Sequence, residues 1–204
     1  MTLRLTIIIL LTLGQVFSQT QDYKILDIKP TDTKMRLNGV DIFNSYALNS
    51  FTLYVGWTKN PKDSTIIPKI IIKDKSDNVI FSHLGHSDSY IYRPTFFVSN
   101  SNDNLIIMAE SGSEYSWGND IFTVKNNVVK DIGFIDVVTY DPHDNPGNIA
   151  PQTTIKFEES KILFTFKSKQ VVFNSDGKNQ KIFNGSDIWY VYSDNELKMK
   201  THSR

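Results

Sequence analysis

The sequence predicts an all-β fold, and three observations carry that prediction. Apolar and aromatic runs of about five to eight residues alternate with clusters of Asn, Asp, Ser and Gly across residues 23–200, the punctuation expected of strands and turns. Several runs alternate apolar and polar residues with period two, as in Ile121-Phe-Thr-Val-Lys125 and Thr154-Ile-Lys-Phe-Glu158, giving each strand one dry and one wet face. Helix signals are nearly absent: only 40–48 has the composition for a short helix, and it lacks an amphipathic stripe.

In chain order, strands are expected at 23–28, 51–57, 69–73, 79–84, 95–99, 105–110, 121–125, 128–132, 135–139, 154–158, 162–166, 170–173, 181–183, 188–192 and 197–200. The links between them carry turn chemistry. Asn126-Asn127, Asp77-Asn78 and Asp176-Gly177 are residues that tolerate positive φ, which favours tight hairpins and therefore sequential antiparallel neighbours. Residues 140–152 form the longest stretch without strand character, with Pro142, Pro146, Gly147 and Pro151, a length associated with functional or mobile loops. Residues 20–22 and 201–204 read as poorly ordered tails.

Asp120-Ile-Phe-Thr-Val124 echoes Asp187-Ile-Trp-Tyr-Val191, each followed by an Asn-bearing turn and a return strand. Two hairpins built on the same rules look alike, and one pair does not establish a repeat. The expected architecture is a single antiparallel β-sandwich or a curled β-meander of short hairpin-linked strands, with a small propeller-like meander as the runner-up.

The N-terminus reads as a secretory signal peptide over residues 1–18. Arg4 supplies the positive charge, residues 5–13 a short apolar run, and Val16 and Ser18 the small-residue exit before Gln19. The apolar run is too short for a transmembrane anchor, which needs about 20 residues, and no cysteine follows it to carry a lipid. Residues 19–204 are then one exported all-β domain, periplasmic or secreted, with an ordered core at about 23–200. Removing 18 of 204 residues leaves 186, enough to bury a normal core without disulfides, and the 13 Phe, 9 Tyr and 3 Trp are its expected substance.

Charge excludes some partners. The whole chain has 22 basic and 22 acidic side chains, and loss of Arg4 shifts the balance by one toward acid. Nucleic-acid binders gain affinity from basic patches that displace counterions, and none is evident. No basic amphipathic segment suggests membrane attachment.

Three polar clusters are candidates for chemistry. His83-Leu-Gly-His86-Ser-Asp88 has metal-ligand spacing; with His143 from the long loop, His83, His86 and Asp88 would offer four N/O ligands for zinc. Residues 110–120 hold Glu110, Glu114, Tyr115, Trp117 and Asp120, an aromatic-acidic loop of the kind that stacks on sugar rings and accepts hydroxyl hydrogen bonds. Asp141-Pro-His143-Asp-Asn145 is oxygen-rich, as a calcium loop is, yet lacks the spacing and terminal Glu of an EF-hand. There is no cysteine nucleophile, no Gly-x-Ser-x-Gly elbow, no phosphate-cradling glycine loop and no His-Glu-x-x-His.

The sequence therefore points to a non-catalytic module that recognises a protein or a glycan outside the cytoplasm. The alternatives are a small envelope hydrolase, metal-assisted through His83, His86 and Asp88 or carboxylate-based through Glu110 and Glu114, and a structural assembly module.

Overall fold

A computed structural model describes residues 20–101, 104–141, 146–174 and 179–202. Residues 1–18, read as a signal peptide, lie outside the described residues, as does His143. Seventeen strands are found among the described residues. The first six are β1 (Gln21–Leu26), β2 (Thr31–Leu37), β3 (Val40–Ala47), β4 (Phe51–Lys59), β5 (Ile66–Asp74) and β6 (Val79–Leu84). The next five are β7 (Ile91–Ser99), β8 (Asn104–Gly112), β9 (Ser116–Lys125), β10 (Val128–Ile135) and β11 (Val137–Thr139). After a 3₁₀ turn at Ala150–Gln152 come β12 (Thr153–Glu158), β13 (Lys161–Phe166), β14 (Gln170–Phe173) and β15 (Lys181–Asn184). A second 3₁₀ turn, Gly185–Asp187, leads into β16 (Ile188–Ser193) and β17 (Glu196–Thr201).

All pairings between these strands are antiparallel, and they form three sheets. The largest has nine strands in the order β10-β9-β8-β7-β1-β12-β13-β16-β17. It curls until its two edges approach, nearly closing a barrel. At the seam the Lys130 ammonium donates to Asn195 Oδ1 at 2.6 Å and lies 5.5 Å from the Tyr192 ring centre. Phe97, Ile106, Ile121, Ile155, Phe164 and Tyr190, drawn from strands all round the curl, meet inside it. Burial of this apolar surface is the main force holding the curl shut.

A second, meandering sheet, β2-β3-β4-β5-β6, lies against the outer face of β7, β8 and β9. Leu53, Val55, Ile70 and Ile72 from the meander pack on Phe96, Ile107 and Phe122 from the curled sheet. The architecture is thus a curled sheet and a sandwich sharing strands β7–β9. A three-stranded sheet, β11-β14-β15, adds Val137 and Val171 to the interior of the curl.

The structure corrects several sequence expectations. Residues 40–48 are not helical: Val40–Ala47 is strand β3, with Tyr46 buried against the curled sheet and Val40 and Ile42 buried with Ile71 on the other face of the meander. β-branched and aromatic side chains favour the pleated surface, and a bulge at Phe43 breaks the simple alternation. The preceding Asn38-Gly39 turn, at φ 49° and 77°, joins β2 to β3 in a hairpin beyond the strands expected from sequence. Residues 20–22 are not a loose tail, because Gln21 and Asp22 pair with Phe157 and Lys156. Thr201 likewise belongs to β17. In the long 140–152 stretch, Gly147 bridges to Thr139, and Ile149 and Ala150 are fully buried in the main core. The core itself is as much isoleucine and valine as aromatic, and none of the three tryptophans is fully buried.

Candidate functional site

The curled sheet and the meander meet along a seam whose two ends differ in chemistry. At one end β6, an edge strand of the meander, carries His83 over β9 and β10. There the sequence-separated His83, His86, Tyr92, Asp120 and Asp131 come together. His83 Nδ1 lies 3.2 Å from Asp131 Oδ2, and its Nε2 lies 3.7 Å from Asp120 Oδ2. His86 Nε2 lies 3.4 Å from the other Asp120 oxygen, and the Tyr92 hydroxyl donates to Asp120 Oδ2 at 2.9 Å.

Strand geometry explains the meeting. Tyr92, Asp120 and Phe122 all lie on the face of the curled sheet that the meander covers, and the β9–β10 hairpin register sets Asp131 opposite Phe122, just ahead of a bulge. The His83 ring meets Phe122 edge-on at 5.0 Å, and the His86 ring lies 4.6 Å from Phe134. Phe134 in turn occupies the space over Gly118, where φ is 153° and an added Cβ would fall 2.6 Å from the Phe134 ring.

Asp120 is buried and takes three partners on two oxygens. The hydrogen bond from His83 is the main effect holding the Asp131 carboxyl below its usual range. Burial, and next the adjacent Asp120 charge, pushes the Tyr92 phenol well above its ordinary value. A neutral His83 can donate to only one of its two carboxylates, whereas a protonated one satisfies both. This network ties the edge strand of the meander to the curled sheet.

The proposed metal ligands are only partly assembled. His83 and His86 converge on Asp120, not on Asp88. Asp88 is exposed in a left-handed turn at φ 61°. Among the described residues, no group of three or more His, Asp or Glu side chains is arranged to hold a metal ion. Asp120 explains this, since its two oxygens each address a different imidazole.

The aromatic-acidic segment is divided by the pleat and by burial. Glu110 and Asp120 are buried, on opposite faces of the curled sheet. Glu110 accepts from both Arg93 Nε and Nη2 at 2.9 Å, and burial raises its carboxyl above the usual range although Arg93 opposes the shift. Glu114 is exposed on the turn after β8, and Tyr115 and Trp117 are half-buried beside it. Beyond them Asn119 is fully buried, and its amide has no hydrogen-bond partner among the described residues.

The other end of the seam was not anticipated from sequence. There the sheets part to leave a cleft of about 620 Å³, within the size range of small-ligand sites. Its floor is apolar, from Leu26, Leu48, Leu105 and Val124, and its rim carries Asn49, Asn126 and Asn127, while the Asn104 side chain alternates to the other face of the sheet. Among the described residues, no charged side chain lines it. Asn104 donates to Gln21, while its buried Oδ1 has no partner among the described residues. A signal for the rim was available in Asn126-Asn127, a turn with φ 51° and 62°. Its meeting with 26, 48 and 104 was not.

Comparison with known protein families, curated proteins and solved structures finds no match to this chain. Among the described residues, no helix is long and apolar enough to cross a membrane.

Proposed function

We propose that this protein is an exported, non-catalytic recognition module, and that its binding site is the cleft between the curled sheet and the meander. The observation that carries the reading is a contrast between the ends of the seam. The side chains suited to acid–base chemistry are occupied by one another: Asp120 by Tyr92 and two histidines, Glu110 by Arg93. The cleft is open, large and lined by uncharged groups. Export is supported by Arg4, the apolar run at 5–13 and the Val16/Ser18 exit.

A carboxylate-based hydrolase has less support, because Glu110 is sealed beneath the Arg93 guanidinium while Glu114 stands exposed. A glycosidase pair needs both carboxyl groups facing one bond.

The test uses arrays of immobilised neutral oligosaccharides and uncharged peptides, probed with three folded proteins. The wild type and a Tyr115→Ala/Trp117→Ala variant are expected to retain the same array member. A Leu48→Glu variant, which puts a charge into the cleft, is expected to lose it. Retention by Leu48→Glu with loss in the loop variant would overturn the reading, as would no binding to either array.

A further inference from the structure

We propose that Asn184 is a modification site, its side-chain amide accepting an N-linked oligosaccharide as the chain is exported. The inference rests on the export reading above and concerns the end of the curled sheet away from the cleft.

The motif is short, and its surroundings decide whether it is a site. Asn184-Gly185-Ser186 is the one Asn-x-Ser/Thr sequence in the chain with a residue other than proline in the middle. Such a sequence accepts N-linked glycans when it lies on the surface of a secreted protein. Here it spans the end of β15 and the 3₁₀ turn that follows, and both Asn184 and Ser186 are exposed. β15 is an edge strand, and among the described residues it pairs only with β14. Its second side is open to approach.

The fold accounts for the glycine in the middle and for neither of its neighbours. Gly185 is buried, and a Cβ there would fall 2.1 Å from the Ser168 carbonyl oxygen, so only glycine lets the two backbones approach this closely. Asn184 stands at the N-cap position of the turn, where an asparagine side chain usually accepts a backbone N–H bond. It makes no such bond here, although its backbone is extended at φ −65° and ψ 138° as a cap requires. The Ser186 hydroxyl donates to Asp187 Oδ1 at 3.4 Å, a long contact at the surface. The two residues that an acceptor site needs are the two that packing and capping leave unexplained.

There is also room for the product. Asn184 lines a groove of about 360 Å³ with Ile182, Asp187, Thr201 and His202, between the edge strand β15 and the end of β17. In the transfer, the amide Nδ2 bonds to the anomeric carbon of an oligosaccharide carried on a polyprenyl diphosphate. The bond from that carbon to the diphosphate oxygen breaks, the lipid diphosphate leaves with the electron pair, and the amide gives one proton to the transferase. The groove is remote from the cleft. Thr201 and His202 lie at the end of β17 opposite its Asp194-Asn195 turn, and Lys130, bonded to Asn195, sits just beyond the Asn126-Asn127 rim. An oligosaccharide on Asn184 leaves the cleft open.

The experiment expresses the full chain, with its own residues 1–18, in a secreting yeast or insect cell beside Asn184→Gln, Ser186→Ala and Ser186→Thr. The wild type and Ser186→Thr are expected in the medium with one oligosaccharide per chain, which peptide N-glycosidase releases while converting Asn184 to aspartate. Asn184→Gln and Ser186→Ala are expected in the medium without it. Equal urea midpoints for Asn184→Gln and the enzymatically deglycosylated wild type check that the variant folds. A wild type secreted without sugar would overturn the assignment and leave the export reading standing. A wild type that stays in the cell without sugar would overturn both. An oligosaccharide that persists in Asn184→Gln would place the modification on another residue and overturn the assignment as well.

Discussion

The two halves of the curled sheet are built from similar hairpins and put to different use. β9–β10 and β16–β17 sit near or at opposite edges of the sheet, and each turns through two residues in the left-handed region, Asn126-Asn127 and Asp194-Asn195. On the β9 side the outer face is covered by the meander. On the β16 side the outer face, with Trp189, Val191, Lys198 and Lys200, lies open or half open. The neighbouring strands register the difference: β8 is buried along almost its whole length, while β13 alternates buried and exposed positions. Asp120 is consequently a buried hub, and its counterpart in the echo, Asp187, is a half-buried residue in a 3₁₀ turn. Covering one half of a sheet created a seam, and the seam holds both the polar network and the cleft.

The largest expected effect separates the halves by stability. Phe122 and Trp189 occupy matching places in the sequence echo. Phe122→Ala empties a fully buried position between the sheets and is expected to cost about 3–5 kcal/mol. Trp189→Ala loses a half-exposed ring packed on His202 and is expected to cost about 1 kcal/mol. Urea unfolding of both variants measures this, and equal losses would mean that the meander does not cover the β9 half as described.

A smaller effect separates the halves by the sign of their pH dependence. Burial raises the folded-state pKa of Glu110 above 4.5, so its ionisation opposes folding. Its contribution is fully present below 4.5 and is lost as pH rises through the raised value. The stability of the wild type relative to Glu110→Gln is therefore expected to fall across that window. On the open half, the Lys198 ammonium lowers the Glu196 pKa below 4.5. Its contribution is present above 4.5 and is lost as pH falls, so the wild type should lose ground to Glu196→Gln only on the acid side. Thermal unfolding of the wild type and the two variants between pH 3 and pH 8 reads both slopes, and slopes of the same sign would contradict the assignment of burial to the two halves.

Local order was legible in the sequence wherever one segment determined it. The apolar-aromatic runs located 79–84 and 170–173 with the observed bounds, and the Asn126-Asn127 hairpin followed from turn chemistry alone. The continuous apolar run of β8 showed a strand. That both its faces were covered depended on which partner lay above it. Residues 40–48 misled because Phe43 and Asn44 sit at a bulge and blur the alternation.

The polar cluster was half legible. His83, His86 and Asp120 were singled out, yet Asp120 was grouped with Glu110 although the pleat sends them to opposite faces. Asp131 and Tyr92 carried no local signal. The cleft was not legible, because residues 26, 48, 104 and 126 become neighbours only through the nine-strand order, in which β1 sits between β7 and β12.

The central claim, that the uncharged end of the seam binds and the charged end holds the sheets together, reduces to one calorimetric comparison. The array member retained by the wild type is measured against the wild type, His83→Asn/His86→Asn and Asn49→Ala/Asn127→Gly. Affinity should be unchanged in the histidine variant and reduced by about a hundredfold in the asparagine variant, two hydrogen bonds at about tenfold each. Loss of binding in the histidine variant, with the asparagine variant unaffected, would place the functional site at the opposite end of the seam.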